Sequence, residues 1–177
     1  TPNNWECLDG TLYIDKKNRP WIVFCREWLD VVDGEIHAML LSQDLKTSVS
    51  PPIKLFSASS APWTYPQTGQ IPSSGNAYVT DGPFLYRTKC GTLLMLWSSF
   101  TKEGYAIGLS YSNNGEINGT WTHCKEPLYR RDGGHGMIFK DFNNNIYLAI
   151  HSPDESPHER ALFIPIIESN NSLKINY

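Results

Sequence analysis

The chain of 177 residues lacks several features that would indicate a particular partner. Its net charge is −3, so it has no basic excess with which to bind nucleic acid or an anionic membrane surface. No apolar run approaches the roughly 20 residues that a transmembrane helix needs, and residues 1–4 show no signal-peptide pattern. The sequence therefore predicts neither nucleic acid nor a membrane as a partner.

Cysteine is scarce, and its four positions have no metal-binding spacing. Cys7, Cys25, Cys90 and Cys124 form no C-x-x-C pair, so a zinc knuckle is not expected. A chain of this size does not depend on disulfides for its stability, so four free thiols are predicted.

Aromatic residues, in contrast, are plentiful at 12% of the chain, while apolar residues make up 40% and charged residues 19%. This composition is typical of a globular protein with one substantial core. The aromatic rings indicate either large core side chains or platforms that stack on flat ligands such as sugars.

A pattern of two strands joined by a polar turn occurs three times. Each copy opens with a polar residue before glycine, followed by an apolar strand, a polar turn and a buried strand. The copies begin at Leu8-Asp9-Gly10, at Thr80-Asp81-Gly82 and at Gly134-His135-Gly136. Superposing the copies places Asp9, Asp81 and His135 at one equivalent position.

Further strands follow each copy, and no convincing amphipathic helix occurs anywhere. Three four-stranded antiparallel units in sequence predict an all-β protein of the β-propeller type. The blades are expected in one domain at about 5–58, 78–130 and 133–177, with a long irregular loop at 57–77. Because the first strand of a blade lines the central channel, Asp9, Asp81 and His135 are expected to face one another at its mouth.

With these motifs the chain resembles glycoside hydrolase family 43, the five-bladed propellers that include arabinanases, arabinofuranosidases and β-xylosidases. The resemblance rests on the three motifs above together with Asp15, His151 and Arg160, and it spans residues 5–167. It implies a glycosidase acting on arabinose- or xylose-containing polysaccharides by acid/base, inverting hydrolysis. A non-catalytic carbohydrate-binding propeller, or an inactive fragment, is the alternative.

The resemblance also implies roles for individual residues. Asp81 stands at the general-acid position, where most family members have Glu, and Asp9 matches the aspartate that orients the acid and tunes its pKa. His135 matches a histidine that helps to hold a central calcium ion through water, and no cofactor is expected for the chemistry itself. Arg160 matches an arginine that reaches the bound sugar.

Other candidates come from the residues themselves. Glu27 is the fallback acid, although pairing with Arg26 would make it an ordinary loop carboxylate. Trp63, in a Pro-rich loop, and Trp28 are expected to stack on sugar faces, and Tyr65 is a further candidate.

The family's catalytic base lies in its first blade, which has no counterpart in this chain. The chain is therefore expected to supply three of five blades and to be inactive alone. A second chain or an N-terminal segment would complete the ring. The expected location is secreted, periplasmic or cell-surface, with an intracellular location left open.

Overall fold

The computed structural model describes residues 1–68 and 76–176, and these residues form three four-stranded antiparallel sheets and one two-stranded sheet. In each large sheet, sequence neighbours are hydrogen-bonded neighbours. Three such sheets in sequence are blades of a β-propeller, and they do not close a ring.

The first sheet consists of β1 (Cys7–Ile14), β2 (Pro20–Arg26), β3 (Glu35–Leu40) and β4 (Ile53–Ser57). The second consists of β7 (Asp81–Arg87), β8 (Leu93–Thr101), β9 (Gly104–Ser112) and β10 (Trp121–His123), and the third of β11 (Gly134–Lys140), β12 (Ile146–Ser152), β13 (Arg160–Ser169) and β14 (Ser172–Ile175). A single helical turn, α1 (Trp28–Val31), lies in the segment between β2 and β3, where the sequence predicts a loop.

The turn after the first strand of each sheet begins at an equivalent residue. The backbone N–H of Asp15, Thr88 and Asp141 each donates to the carbonyl four residues later. In the first turn, the Asp15 carboxylate also accepts bonds from the backbone of Lys17 and from both the backbone and the side chain of Arg19. These turns fix the register of the three hairpins independently of the site described below.

The second sheet lies between the other two and is buried on both faces, which explains the continuous apolar run in β8. Alternate side chains of β8 point to opposite sides. Met95 and Trp97 pack with the first sheet, whereas Leu94 and Leu96 pack with the third. All four of these side chains are at most 1% exposed.

The segment predicted as a long irregular loop contains regular structure. It begins with a 3-10 helix at Ala58–Ser60, and β5 (Gln67–Thr68) pairs with β6 (Asn76–Ala77) as a two-stranded sheet. The remaining part of the predicted loop, residues 69–75, lies outside the described residues.

The outer faces of the first and third sheets carry exposed apolar side chains. On the first sheet, Leu12 and Ile14 are 53% and 47% exposed, and on the third, Met137 and Phe163 are 51% and 59% exposed. None of the helices in the described residues is long and apolar enough to span a membrane.

Candidate active site

The first strand of each sheet has an irregularity at the same place. Pairing with the second strand skips two residues after Leu8, after Asp81 and after Gly134. In each case the residue that follows has a left-handed backbone, and these residues are Asp9 (φ 57°), Gly82 (φ 49°) and His135 (φ 51°). The three strands therefore carry one β-bulge each at equivalent positions.

This geometry corrects the predicted equivalence. Asp9 and His135 share one position, but the third member is Gly82, so Asp81 lies one residue earlier. Asp81 is paired with Ser98 in the ladder, as Leu8 is with Cys25. The predicted equivalence rests on residue type, whereas the equivalence in the structure follows the number of residues between each bulge and the turn after the strand.

Glycine at position 82 lets the second and third sheets approach closely. A Cβ atom there would lie 2.9 Å from Cδ2 of His135, and the left-handed backbone disfavours other residues as well. The backbone N–H of His135 donates to Oγ of Ser98 at 2.8 Å. These contacts hold His135 against the start of the second sheet.

Asp9 contacts both neighbouring bulges. Its Oδ2 accepts a hydrogen bond from the backbone N–H of Gly82 at 3.1 Å, and its Oδ1 lies 3.7 Å from Nε2 of His135. The first strands of all three sheets thus meet at Asp9, as the sequence predicts for the mouth of a channel.

Asp81 lies beside this meeting point and is held by a tyrosine. Tyr105 donates its hydroxyl hydrogen to Oδ2 of Asp81 at 2.9 Å, and its ring stacks on His151 with centroids 5.6 Å apart. Burial, together with the charge of Asp9, raises the pKa of Asp81 to about 6, against the lowering effect of the Tyr105 hydrogen bond.

Glu27 contributes a third carboxyl group from between β2 and α1. Burial raises its pKa to about 7, and the charges of Asp81 and Asp9 add to the increase. Arg26 does not pair with Glu27 in the described part of the chain, and it donates instead from Nε to Asp30 at 2.6 Å. The site therefore combines two carboxyls of raised pKa with the carboxylate of Asp9.

The predicted sugar-contacting residues lie in different settings. Arg160 is exposed at the start of β13 and donates to the carbonyls of Pro157 and Glu159. Trp28 is half-buried directly after Glu27, and Tyr65 is 42% exposed. The roles of these three residues in sugar binding stay predictions.

Trp63 does not fit the predicted stacking role. It is 8% exposed, with its ring centroid 4.8 Å from that of Trp97. It also covers Gly108, where a Cβ atom would overlap the indole ring of Trp63. The missing side chain at residue 108 makes room for the indole, so Trp63 is a core residue.

The described residues include no cluster of side chains that could coordinate calcium directly. Within 1–68 and 76–176, no group of three or more His, Cys, Asp or Glu side chains could hold a metal ion. Calcium takes six to eight oxygen ligands, whereas His135 offers nitrogen and lies against Asp9. Direct coordination by this cluster does not fit, and a contact through water stays a prediction.

Two partners of the site were not predicted from the sequence. One is Tyr105, which holds Asp81, and the other is Asp154, whose Oδ1 lies 2.9 Å from Nε2 of His151. The register of β8 and β9 is the feature that indicates Tyr105. Pairing of β9 with β8 places Tyr105 next to the segment of β8 that lies opposite Asp81.

The glycosyl hydrolases family 43 model matches residues 1–171. The chain belongs to this family. It is 46% identical to the endo-arabinase from Bacteroides thetaiotaomicron VPI-5482, with a TM-score of 0.90 and coverage of 97% of this chain and 60% of that one. No curated protein sequence matches the chain.

Two more distant structures share the fold. A thermostable family-43 glycoside hydrolase is 17% identical over 100% of this chain and 60% of that one, with a TM-score of 0.78. An endo-1,4-beta-xylanase from Bacteroides thetaiotaomicron VPI-5482 is 19% identical over 98% of this chain and 60% of that one, with a TM-score of 0.74. The family 43 chain therefore spans about 60% of the length of these structures.

Proposed function

We propose that this chain forms part of an enzyme that hydrolyses arabinose-containing polysaccharides, with xylan as the second candidate substrate. The reaction is acid/base hydrolysis with inversion, at the place where Asp9, Asp81 and Glu27 meet. The observation that carries this proposal is the cluster itself. Asp9 accepts a hydrogen bond from the backbone of Gly82, next to Asp81, which is held by Tyr105, and the charges of both aspartates act on Glu27.

Glycoside hydrolysis needs a carboxylic acid that is still protonated near neutral pH. An ordinary glutamate is almost fully ionised at pH 7, whereas a group with a pKa of about 7 is half protonated there. Asp9 supplies a neighbouring negative charge to both Asp81 and Glu27. The cluster is therefore suited to donate a proton to a leaving sugar oxygen.

The preference for arabinan over xylan is supported by similarity. The structure that is 46% identical is described as an endo-arabinase, whereas the xylanase is 19% identical. A polymeric substrate also favours action outside the cytoplasm, because such polymers do not cross a membrane intact.

A segment outside these three sheets is proposed to complete the site. An inverting enzyme needs a general base on the opposite side of the sugar from the acid. The outer apolar faces at Leu12 and Ile14 and at Met137 and Phe163 provide surfaces on which further blades would pack. An N-terminal extension of the chain is the proposed source of both the blades and the base, with a second chain as the alternative source.

The test measures the release of reducing ends from arabinan and from xylan. It compares the chain alone with the same chain extended N-terminally. Activity in the extended protein and none in the chain alone would support the proposal. Full activity of the chain alone would refute the missing base, while oligosaccharide binding without hydrolysis by either protein would favour a carbohydrate-binding propeller.

A further inference from the structure

We propose that Glu27 is the general acid of this hydrolysis and that Asp81 is a positioning residue that supports it. The inference rests on the proposed function and concerns which carboxyl at that site touches the leaving oxygen. It departs from the assignment of the acid to Asp81, which the resemblance implies.

The side chain of Glu27 is held by no partner in the part of the chain that the structure describes. Its backbone N–H donates to the carbonyl of Glu6 at 2.8 Å, which fixes the start of the turn into α1. The carboxyl group itself forms no hydrogen bond or ion pair with residues 1–68 or 76–176. A proton donor needs this freedom, because its acidic hydrogen must point at the substrate.

The cation nearest in sequence to Glu27 is engaged elsewhere. The guanidinium of Arg26 bonds Asp30, lies 4.0 Å from the centroid of the Trp5 ring, and has Nη1 4.0 Å from Oε2 of Glu35. Among residues 1–68 and 76–176, the charged groups that act on Glu27 are acidic, namely Asp81 from β7, Asp9 from β1 and Glu6 ahead of β1.

The carboxyl of Asp81, unlike that of Glu27, is held by a hydrogen bond. Tyr105 donates to its Oδ2 at 2.9 Å, and this bond favours the ionised carboxylate. Burial and the charge of Asp81 both raise the pKa of Tyr105, so its hydroxyl keeps its hydrogen and donates it to Asp81. An ionised Asp81 beside Asp9 gives two negative charges that keep Glu27 protonated.

The electrostatic surroundings of the two groups agree with this division. Burial raises the pKa of both carboxyls, to about 6 for Asp81 and about 7 for Glu27. The Tyr105 hydrogen bond favours the ionised form of Asp81, whereas the charges of Asp81 and Asp9 favour the protonated form of Glu27.

The proposed step conserves atoms and charge. The bond between the anomeric carbon and the leaving oxygen breaks, and that oxygen takes the proton of Glu27. A water oxygen bonds to the anomeric carbon, and its proton goes to a carboxylate base supplied by the completing segment. Glu27 ends the step ionised and regains a proton from solvent.

The experiment compares leaving groups in the extended, active protein. One substrate is an arabino-oligosaccharide, whose sugar leaving group needs a proton. The other is the 2,4-dinitrophenyl glycoside of the same sugar, whose leaving group does not. The variants are Glu27→Gln, Asp81→Asn and the matched control Glu103→Gln, which changes an exposed carboxyl in the β8–β9 turn.

Loss of a general acid typically costs about 10²–10⁴-fold in rate. Glu27→Gln is expected to lose that much kcat on the oligosaccharide and less than about tenfold on the dinitrophenyl substrate. Asp81→Asn is expected to slow the oligosaccharide reaction and to shift its upper pH limb, because it removes a charge that acts on Glu27. The control keeps the wild-type rate on both substrates.

Two results would overturn the assignment while leaving the proposed function intact. One is full oligosaccharide activity in Glu27→Gln. The other is selective rescue of Asp81→Asn, but not of Glu27→Gln, by the dinitrophenyl leaving group. An extended wild-type protein with no activity on either polysaccharide would instead contradict the proposed function.

A readout without turnover comes from carbon-13 NMR of Glu side-chain carboxyls in this chain. The Glu27 signal, identified by its loss in Glu27→Gln, is expected to titrate near pH 7. Titration below pH 5 would contradict the proposal whatever the activity assays show.

Discussion

The Asp9 carboxylate accepts a hydrogen bond from the backbone N–H of Gly82 at 3.1 Å. This contact joins two equivalent β-bulges in neighbouring sheets and places a negative charge next to Asp81. Asp9 is therefore both a structural link between the sheets and the charge that acts on Asp81 and Glu27.

Replacing Asp9 by Asn is predicted to separate these two contributions. The amide oxygen still accepts the Gly82 hydrogen bond, so the fold is kept, but the negative charge is lost. The pKa of Glu27 is expected to fall from about 7, because one of the charges that raises it is gone. Carbon-13 NMR titration of this chain measures the shift, with Glu103→Gln as the control. An unchanged Glu27 titration would show that Asp9 does not act on it.

The packing of Trp63 over Gly108 predicts a strong coupling between the two residues. Gly108→Ala is expected to lower the free energy of unfolding by about 1–3 kcal/mol, because the new Cβ overlaps the indole. In a Trp63→Leu background, Gly108→Ala is expected to lower the free energy of unfolding much less, because the smaller side chain leaves room for the new Cβ. Urea denaturation of the four proteins gives the coupling energy. Equal costs in both backgrounds would contradict the contact.

A partly buried hydrogen-bond chain at His123 predicts a pH-dependent stability. Trp97 donates to Oγ of Ser110 at 2.9 Å, that oxygen lies 2.7 Å from Nδ1 of His123, and Oγ of Ser60 lies 2.9 Å from Nε2. Burial lowers the pKa of His123 to about 4. The folded state thus favours the neutral ring.

The sign of the effect follows from linkage. Between pH 6.5 and 4 the unfolded chain binds a proton at His123 that the folded chain does not, so this contribution to stability is lost as pH falls. His123→Gln is expected to reduce the difference in unfolding free energy between pH 7 and pH 4.5. The exposed His158 provides the control, because His158→Gln is expected to leave that difference as in the wild type. An unchanged difference in His123→Gln would contradict a neutral His123 ring in the folded state.

Much of the fold could be predicted from local sequence, because strand patterns and turns repeat. The run from Leu93 to Trp97 is apolar because the second sheet is covered on both faces. Trp63 could not be placed, because its burial depends on Gly108, which is distant in sequence and pairs with Trp97 in the ladder. The short pairing of β5 with β6 likewise joins residues that are not neighbours in sequence, so no local sequence pattern predicts it.

Part of the site is predictable from the sequence, because the spacing to each turn indicates which residues are equivalent. Asp9 precedes the first turn residue, Asp15, by six positions, and His135 precedes Asp141 by six as well. Asp81, however, precedes Thr88 by seven, which identifies Gly82 as the equivalent residue. The spacing to the turns thus aligns Asp9 and His135 with Gly82.

The most direct test is a crystal structure of the extended protein, as Glu27→Gln to prevent hydrolysis, with an arabino-oligosaccharide bound. The predicted result places a glycosidic oxygen within about 3 Å of the residue 27 side chain, with Asp81 still bonded to Tyr105. An oligosaccharide bound away from Asp9, Asp81 and residue 27, or one whose glycosidic oxygen contacts Asp81 instead, would contradict it.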